Sequence, residues 1–432
     1  MAPQARMKPE AQMTPEAAWA EAMKFENRPN PYPFFDELRK TPVARVMHGI
    51  YAITGYQELV ALSQDPRVSS DSKNAPMMKG TSVKAEDAPK LVAVYGAARS
   101  MILSDPPDHD RMRRMAMRHF GPPHSPDIIP SMEPLCKQVC NTQLDKVRGK
   151  TRMDIVDEYA YLLPVTVICK IMGIPVEDEG KIHKWVGAGL AGVDFGAEAA
   201  TEEGKARSDL GRKNIAAFQN YMAGLIEGWM KEPGEGMISA MLHDDSGPDG
   251  RMSPDEALGN ASLIFLAGHD STVNLISHCV LTFLRNPWTL ELLRNRRDLV
   301  PRAVEEVLRL QSSVNFFPSR SALADIEIAG TVIPKGAPIF FMYGAANRDP
   351  RQFPDPNEFK LDREDTSNVG WSSGVHMCFG GPLARLEVNT AVEVFLNRVV
   401  NPRLVVDPPP YRPNQFFRGP LHLLIDFDRI RD

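Results

Sequence analysis

The feature that most constrains this chain is a long apolar run between residues 253 and 286. It opens on Ser253-Pro254-Asp255-Glu256: a hydroxyl cap, a proline in the first turn, and Glu256 three residues after the cap. It closes at Asn286-Pro287. These signals predict one helix reaching about Leu284. Its apolar residues lie all round, so it is a buried helix. Other elements must then cover it, and the rest of the chain supplies helices. Thr14-Pro15-Glu16 is a helix start, and Pro33 to Lys40 reads as a short helix. Ile215, Phe218, Met222, Leu225, Ile226 and Trp229 fall on one face at helical spacing. Leu299 to Leu310 is a further helix, and a last one begins near Pro382.

Strand signals are short and sit near both ends. Ala44 to Thr54 is strand-like with a turn at His48-Gly49. Asp325 to Ile333 reads as a hairpin turning at Ala329-Gly330, Ala337 to Tyr343 as a strand, and a final strand falls near Leu421. Residues 69–100 form a long irregular connection of the kind that often carries function, and 344–375 are irregular too. There is no internal repeat and no linker-like segment. The expected fold class is mainly α with small β-sheets: a polar tail over residues 1–13, then a single large domain over 14–432.

Charge and cysteine usage narrow the function classes. With 50 basic and 55 acidic residues the net charge is −5, which argues against a nucleic-acid binder with a broad basic face. Five cysteines at scattered positions (Cys136, Cys140, Cys169, Cys279, Cys378) are not a disulfide framework and suit a reducing compartment. The opening MAPQARMKPEAQM has no apolar run resembling a signal peptide. The best membrane-like window, Tyr161 to Val176, is interrupted by Pro164, Lys170 and Gly173, short of the roughly 18 apolar residues a span needs. A cytoplasmic protein without membrane or nucleic-acid partners is expected.

The segment Trp371-Ser-Ser-Gly374-Val-His376-Met-Cys378-Phe-Gly380 carries chemistry. A cysteine just before a helix sees the positive end of the helix dipole, which favours the thiolate. The glycines let backbone approach a flat ligand and aim amide N–H groups at sulfur. A single thiolate suits haem iron, whereas zinc would need more ligands at metal spacing. A plain structural cysteine in a turn is the other reading.

With its neighbours, this loop resembles the haem-ligand signature of the cytochrome P450 family: an aromatic, then Gly-x-Gly-x-His/Arg-x-Cys-x-Gly. Glu306-Val307-Leu308-Arg309 resembles the family's Glu-x-x-Arg. Ala267-Gly268-His269-Asp270-Ser271-Thr272 resembles its oxygen-binding helix. His109-x-x-x-Arg113, Asn347-Arg348-Asp349-Pro350 and Pro356-x-x-Phe359-x-x-x-Arg363 add weaker matches, all in family order over about residues 30 to 430. Two positions depart from the pattern: Trp371 stands for the usual phenylalanine and Ser372 for the first glycine, so the backbone at Ser372 is in question. Ser271 stands where the family usually has threonine, and Thr272 follows it.

The resemblance implies haem b ligated by Cys378, dioxygen as co-substrate, and electrons that come indirectly from NAD(P)H through a ferredoxin reductase and a ferredoxin. It implies His109, Arg113, Arg320 and His376 as partners of the haem propionates, Ala267 beside the haem, and Glu306, Arg309 and Arg363 as a structural ion network. Arg111, Arg113, Arg114 and Arg118 would steer an acidic ferredoxin. On a helix, residues 263, 266, 267, 270, 271 and 274 share one face, with Thr272 turned about 100° further. This points to Ser271 as the working hydroxyl and Asp270 as the acid, with no role for His269. Pocket candidates by analogy are Leu263, Leu266, Val314, Phe316, Phe317, Phe416 and Phe417, with the 70–100 loop as a lid. The implied activity is insertion of one oxygen atom into a hydrophobic small molecule, or its oxidative dealkylation. A peroxide-driven oxygenase and a non-catalytic haem-thiolate ligand binder are the alternatives.

Overall fold

The computed structural model describes residues 13–74, 99–192 and 201–432. Its centre is the helix Pro254–Arg285, hereafter the central helix. The expected cap is in place: Ser253 Oγ accepts from Glu256 N, and the Glu256 side chain accepts from Ser253 N. Helices Leu162–Met172, Glu202–Lys231, Val300–Leu310 and the last helix, Gly381–Arg398, pack against the central helix. On the Glu202–Lys231 helix Ile215, Phe218, Met222 and Ile226 are buried, while Leu225 and Trp229 are partly buried. The Leu162–Met172 helix ends where Gly173 turns left-handed, with φ +81°. Thr14 caps the first helix, Pro15–Ala22, by accepting from Ala17 N. Among the described residues no helix is long and apolar enough to cross a membrane.

The main sheet joins strands β1 (Val43–Arg45), β2 (Tyr51–Ile53), β3 (Val68–Ser69), β4 (Phe317–Ala322) and β5 (Pro338–Phe341). Their order is β1-β2-β5-β4-β3, with only β2 and β5 parallel. The Ala44–Thr54 segment is therefore two strands with a helical turn at Met47–Gly49 between them. The hairpin Ile326–Ile328 with Thr331–Ile333 turns through Ala329 and Gly330, both with positive φ, which matches the right-handed twist of a two-residue hairpin. The strand near the C-terminus is Leu424–Asp426, paired with Arg152–Asp154 and Arg403–Leu404. Mostly helix with small sheets, in one domain, is the architecture expected above. Residues 1–12, and most of the 70–100 segment expected to act as a lid, lie outside the described residues.

One buried ionic network holds the long irregular segment before the last helix. Glu306 is 4% exposed, Arg309 1% and Arg363 7%. Arg309 binds Glu306 through Nε and Nη2, both at 2.8 Å, and Arg363 Nε reaches the same carboxylate at 2.7 Å. The remaining guanidinium N–H groups go to backbone carbonyls. Arg309 donates to Asn347, Pro356 and Glu358, and Arg363 to Pro354, Asp355 and Glu358. Removing one partner of such a network strands a buried charge, which costs about 3–5 kcal/mol. Arg309→Ala should therefore lower unfolding free energy by about that amount and reduce haem retention. Denaturant unfolding checks this, and a loss below about 1 kcal/mol, the range of an exposed pair, would contradict it.

Candidate functional site

An apolar cavity lies between the central helix and the last helix. The central helix contributes Leu263, Ile264, Ala267, Gly268, Ser271 and Thr272. This stripe repeats at i, i+1, i+4 and i+5, so its midline runs between residues 267 and 268. Small side chains there leave room: a Cβ added at Gly268 would meet only Ile168, at 3.7 Å. Ser271 Oγ donates to Ala267 O at 2.7 Å, and Thr272 Oγ1 donates to Gly268 O at 3.1 Å.

The opposite wall is the cysteine loop and the start of the last helix, with Cys378, Phe379, Gly380, Leu383 and Ala384. Cys378 N donates to Trp371 O at 2.7 Å, closing the loop. Burial pushes the Cys378 thiol up, while the Gly380 and Gly381 N–H groups and the Arg113 and Arg385 charges pull it down. Ser372 takes the left-handed backbone that a glycine would take, with φ +64°. For a non-glycine residue this costs roughly 1–2 kcal/mol. Its hydroxyl lies 2.9 Å from Tyr343 OH, a contact that glycine could not make. Trp371 adds a polar anchor, since its Nε1 donates to Glu305 at 2.9 Å and Arg385 stacks on its ring at 4.6 Å. Gly374 (φ +70°) is forced by space, because a Cβ there would sit 2.1 Å from Ser63 O.

One edge of the cavity is strongly cationic. The His109 and His376 rings pack edge to face at 4.3 Å, and His376 Nε2 lies 2.8 Å from Ser70 Oγ. Burial lowers the basicity of both rings, and the Arg113 and Arg320 charges lower it further; Asp110 partly offsets this at His109. His109 Nε2 is buried with no hydrogen-bond partner among the described residues. Such unbalanced positive potential calls for anions, and two carboxylates would answer it. A half-buried sulfur with the Gly380 and Gly381 N–H groups aimed at it, apolar walls and a cationic edge together fit a haem with its two propionates. Among the described residues, the only group of three metal-type ligands is Asp154, Asp157 and His422, which does not include Cys378.

A family model described as Cytochrome P450 matches residues 231–420. The 6-deoxyerythronolide B hydroxylase of Saccharopolyspora erythraea is 32% identical over 408 residues, covering 92% of this chain and 96% of the relative. The chain belongs to the cytochrome P450 family. The biotin biosynthesis cytochrome P450 of Bacillus subtilis is also 32% identical, over 92% of this chain and 96% of its own. Among solved structures, P450BioI in complex with an acyl carrier protein ligated to hexadec-9Z-enoic acid superposes with a TM-score of 0.80. That pair is 31% identical, and the match covers 93% of this chain and 100% of the other. The protein is thus a haem-iron oxidoreductase of the P450 type.

Within this P450 the expected site residues divide. Cys378, His376, His109, Arg113, Ala267, Leu263 and Ser271 come together on the cavity. Arg320 does not line it, but its charge reaches both imidazoles while its guanidinium rests on Phe317 at 4.7 Å. Leu266 is fully buried in the core and does not line the cavity. Phe316, Phe317, Phe416 and Phe417 do not line it either. They pack on one another and on Trp19 and Phe340, with Phe416 and Phe417 centroids 4.2 Å apart, and Val314 bridges backbone to Phe417. The face drawn from the sequence was rotated: Thr272 joins the cavity stripe, whereas Asp270 and Asn274 lie on a second stripe turned toward the C-terminal segment. Asp270 pairs with Arg412 at 3.1 Å and lies 3.2 Å from His269. Burial works to raise its carboxyl, but Arg412 and His269 outweigh this and hold it well below the usual range. The cavity also includes Phe120, Ile168 and Glu387, which no sequence signal had singled out. The arginine cluster is largely paired: Arg111 with Glu256, Arg114 with Asp249 at 2.7 Å, and Arg118 with Asp244 at 3.3 Å.

Cys378→Ala should fold, yet lose the strongly red-shifted Soret band of reduced, carbon-monoxide-bound thiolate haem. A retained band would mean that another residue ligates the iron.

Proposed function

We propose that this P450 is a monooxygenase. It would insert one oxygen atom of dioxygen into a hydrophobic small molecule, or oxidatively dealkylate it, with electrons relayed from NAD(P)H by a ferredoxin reductase and a ferredoxin. The observation that carries the reading is the apolar cavity with a cysteine sulfur on one wall and two hydroxyls on the other. When bound, haem supplies the activation of dioxygen. Cys378 would hold it by the sulfur, and His109, Arg113, Arg320 and His376 would hold its propionates. The apolar side chains of the cavity bind substrate by burial and exclude water. Ser271 would pass a proton into the cavity, and Asp270, its chain neighbour, would feed it from the stripe behind. Asp270, an anion, would act as a relay that receives a proton from water and hands it on rather than as a resting acid, and proton transfer of this kind is typically worth about 10²–10⁴ in rate.

The substrate class follows from apolarity. A relative named for hydroxylating 6-deoxyerythronolide B, and a neighbour holding an acyl carrier protein ligated to hexadec-9Z-enoic acid, support bulky or long apolar substrates. The electron donor would approach the cysteine face, where Met377 is 53% and Val375 47% exposed beside Arg385. Pairing of Arg111, Arg114 and Arg118 with acidic residues leaves this face mixed in charge. Docking there would rest on apolar contact as well as steering. Cytoplasmic placement is part of the same reading, since the donor pair and NAD(P)H are found there.

Turnover with ferredoxin, reductase and NAD(P)H should convert a substrate that shifts the haem spin state. Binding without product from any donor would reduce the protein to a ligand binder, and product from peroxide alone at equal rate would make it a peroxide-driven oxygenase. Ser271→Ala should lower product per electron pair about tenfold, with the electrons lost as peroxide, and Thr272→Ala less. Equal effects would assign the relay to both hydroxyls.

A further inference from the structure

We propose that Glu387 couples a proton to the electron: in alkaline solution, where it is a carboxylate, it takes up a proton when the haem held by Cys378 is reduced. The inference rests on that haem assignment. Glu387 lies on the last helix and faces the cavity with Leu383 and Ala384, on the helix that begins just after Cys378. It is 2% exposed, and its Oε1 has no hydrogen-bond partner among the described residues.

Its surroundings carry no compensating charge. The helix Glu133–Lys146 turns Cys136 and Cys140 toward it, and burial pushes both thiols up, Cys140 to about 12, with Tyr159 behind Cys140. The central helix offers the hydroxyls of Ser271 and Thr272, and the Leu162–Met172 helix offers Pro164 and Ile168. On the helix Val300–Leu310, Glu305 is bound to Arg385 and Trp371, and Glu306 to Arg309 and Arg363. Arg294, on the helix Trp288–Asn295, donates to the carbonyls of Leu396 and Val399. The buried short helix residue Ile129 is apolar. Arg113, the cation that lines the cavity, extends no charge effect to Glu387, whose only perturbation is burial, and the His109 and His376 rings beside it are held neutral by burial.

An isolated carboxylate in such a place is costly, so the neutral acid is the form at neutral pH and the carboxylate appears only in alkaline solution. Burial alone raises the Glu387 carboxyl to about 8. Adding an electron to the cavity makes the site more negative, and in a low-dielectric interior that change is felt strongly. The balanced step is one electron converting haem iron(III) to iron(II) while the Glu387 carboxylate takes one proton from solvent and becomes the acid.

The sign follows. Below about pH 7 Glu387 is protonated in both oxidation states, and the midpoint potential is flat with respect to this group. Above about pH 8 the oxidised form carries the carboxylate, reduction takes up a proton, and the potential falls with pH by up to about 59 mV per unit, the one-electron equivalent of tenfold.

Spectroelectrochemical titration of the holoenzyme between about pH 6 and about pH 9 tests this. The red-shifted carbon-monoxide band is recorded first in every variant, so failure of the haem assignment shows up separately. The slope should be present in the wild type and in Glu387→Asp, and absent in Glu387→Gln. A flat wild type, or a slope that survives Glu387→Gln, overturns the proposal. Should Glu387→Gln not fold, a redox-difference infrared spectrum of the wild type near pH 8.5 decides it. A buried carboxylic C=O band must grow on reduction, and its absence overturns the proposal.

Discussion

The buried triad of Glu306, Arg309 and Arg363 is the interaction on which the rest of the site depends. Between the short helix Tyr343–Ala346 and the last helix the chain has almost no repeating structure, so its carbonyls have no ladder to satisfy them. Two guanidinium groups supply the donors, and one carboxylate keeps both planes fixed. Lys360 N also donates to Glu306, at 3.0 Å. Asn347 continues the brace: it donates to Ser312 and accepts from Val369 N, two residues before Trp371. A thiolate ligand must present one sulfur at one place, and this bracing fixes the loop that presents it. The triad does so beside a few apolar anchors of the segment, Phe353 under Arg309 and Phe359 against Phe283 and Trp288, which pack side chains but cannot satisfy the carbonyls.

The central helix divides its work between two stripes about 100° apart. One stripe, from Leu263 to Thr272, is apolar or small and faces the cavity. The other holds Asp270 against Arg412, and next to it Asn274 against the backbone of Gly419, where even one methyl would collide at 2.0 Å. The C-terminal segment is therefore a polar cover on the back of the oxygen-binding turn. Its aromatic residues close the core, with Phe316 at the centre of contacts to Trp19, Phe340 and Phe416.

What was legible in the sequence follows from where the physics is local. Caps, proline positions and periodic apolar residues depend on neighbours three or four apart, and Ser253, Thr14 and the Ala329-Gly330 turn behave as those rules require. The cysteine loop was legible because its residue types have few other uses in that order. The stripe on the central helix was misplaced by about one residue, since a helix that is apolar all round gives no internal mark of which side faces a ligand. Phe316, Phe317, Phe416 and Phe417 look alike whether they line a cavity or pack on one another, and only the tertiary partners decide. Ser372 shows the converse: its backbone keeps the glycine-like φ, and its hydroxyl meets that of Tyr343, 29 residues earlier, at 2.9 Å. Glu387 gave no signal, because a glutamate on a helix is ordinarily a surface residue.

The two buried carboxyls near the cavity sit in opposite states for opposite reasons. Asp270 is buried beside a guanidinium, and the charge of Arg412 outweighs the cost of burial, so it is an anion. Glu387 is buried among thiols and apolar side chains, and nothing outweighs that cost, so it is an acid until the pH passes about 8. An anion that keeps its counter-ion can pass a proton on but cannot store one at neutral pH. A carboxyl raised by burial alone holds its proton at neutral pH, releases it only in alkaline solution, and there its affinity follows the charge of the site beside it. Environments that push two carboxyls apart in this way commonly mark a division of acid–base labour. Here Asp270 lies behind the hydroxyl wall and Glu387 on the cysteine wall. Proton delivery to dioxygen and proton balance for the incoming electron would then be handled on opposite walls, by groups that share no hydrogen bond.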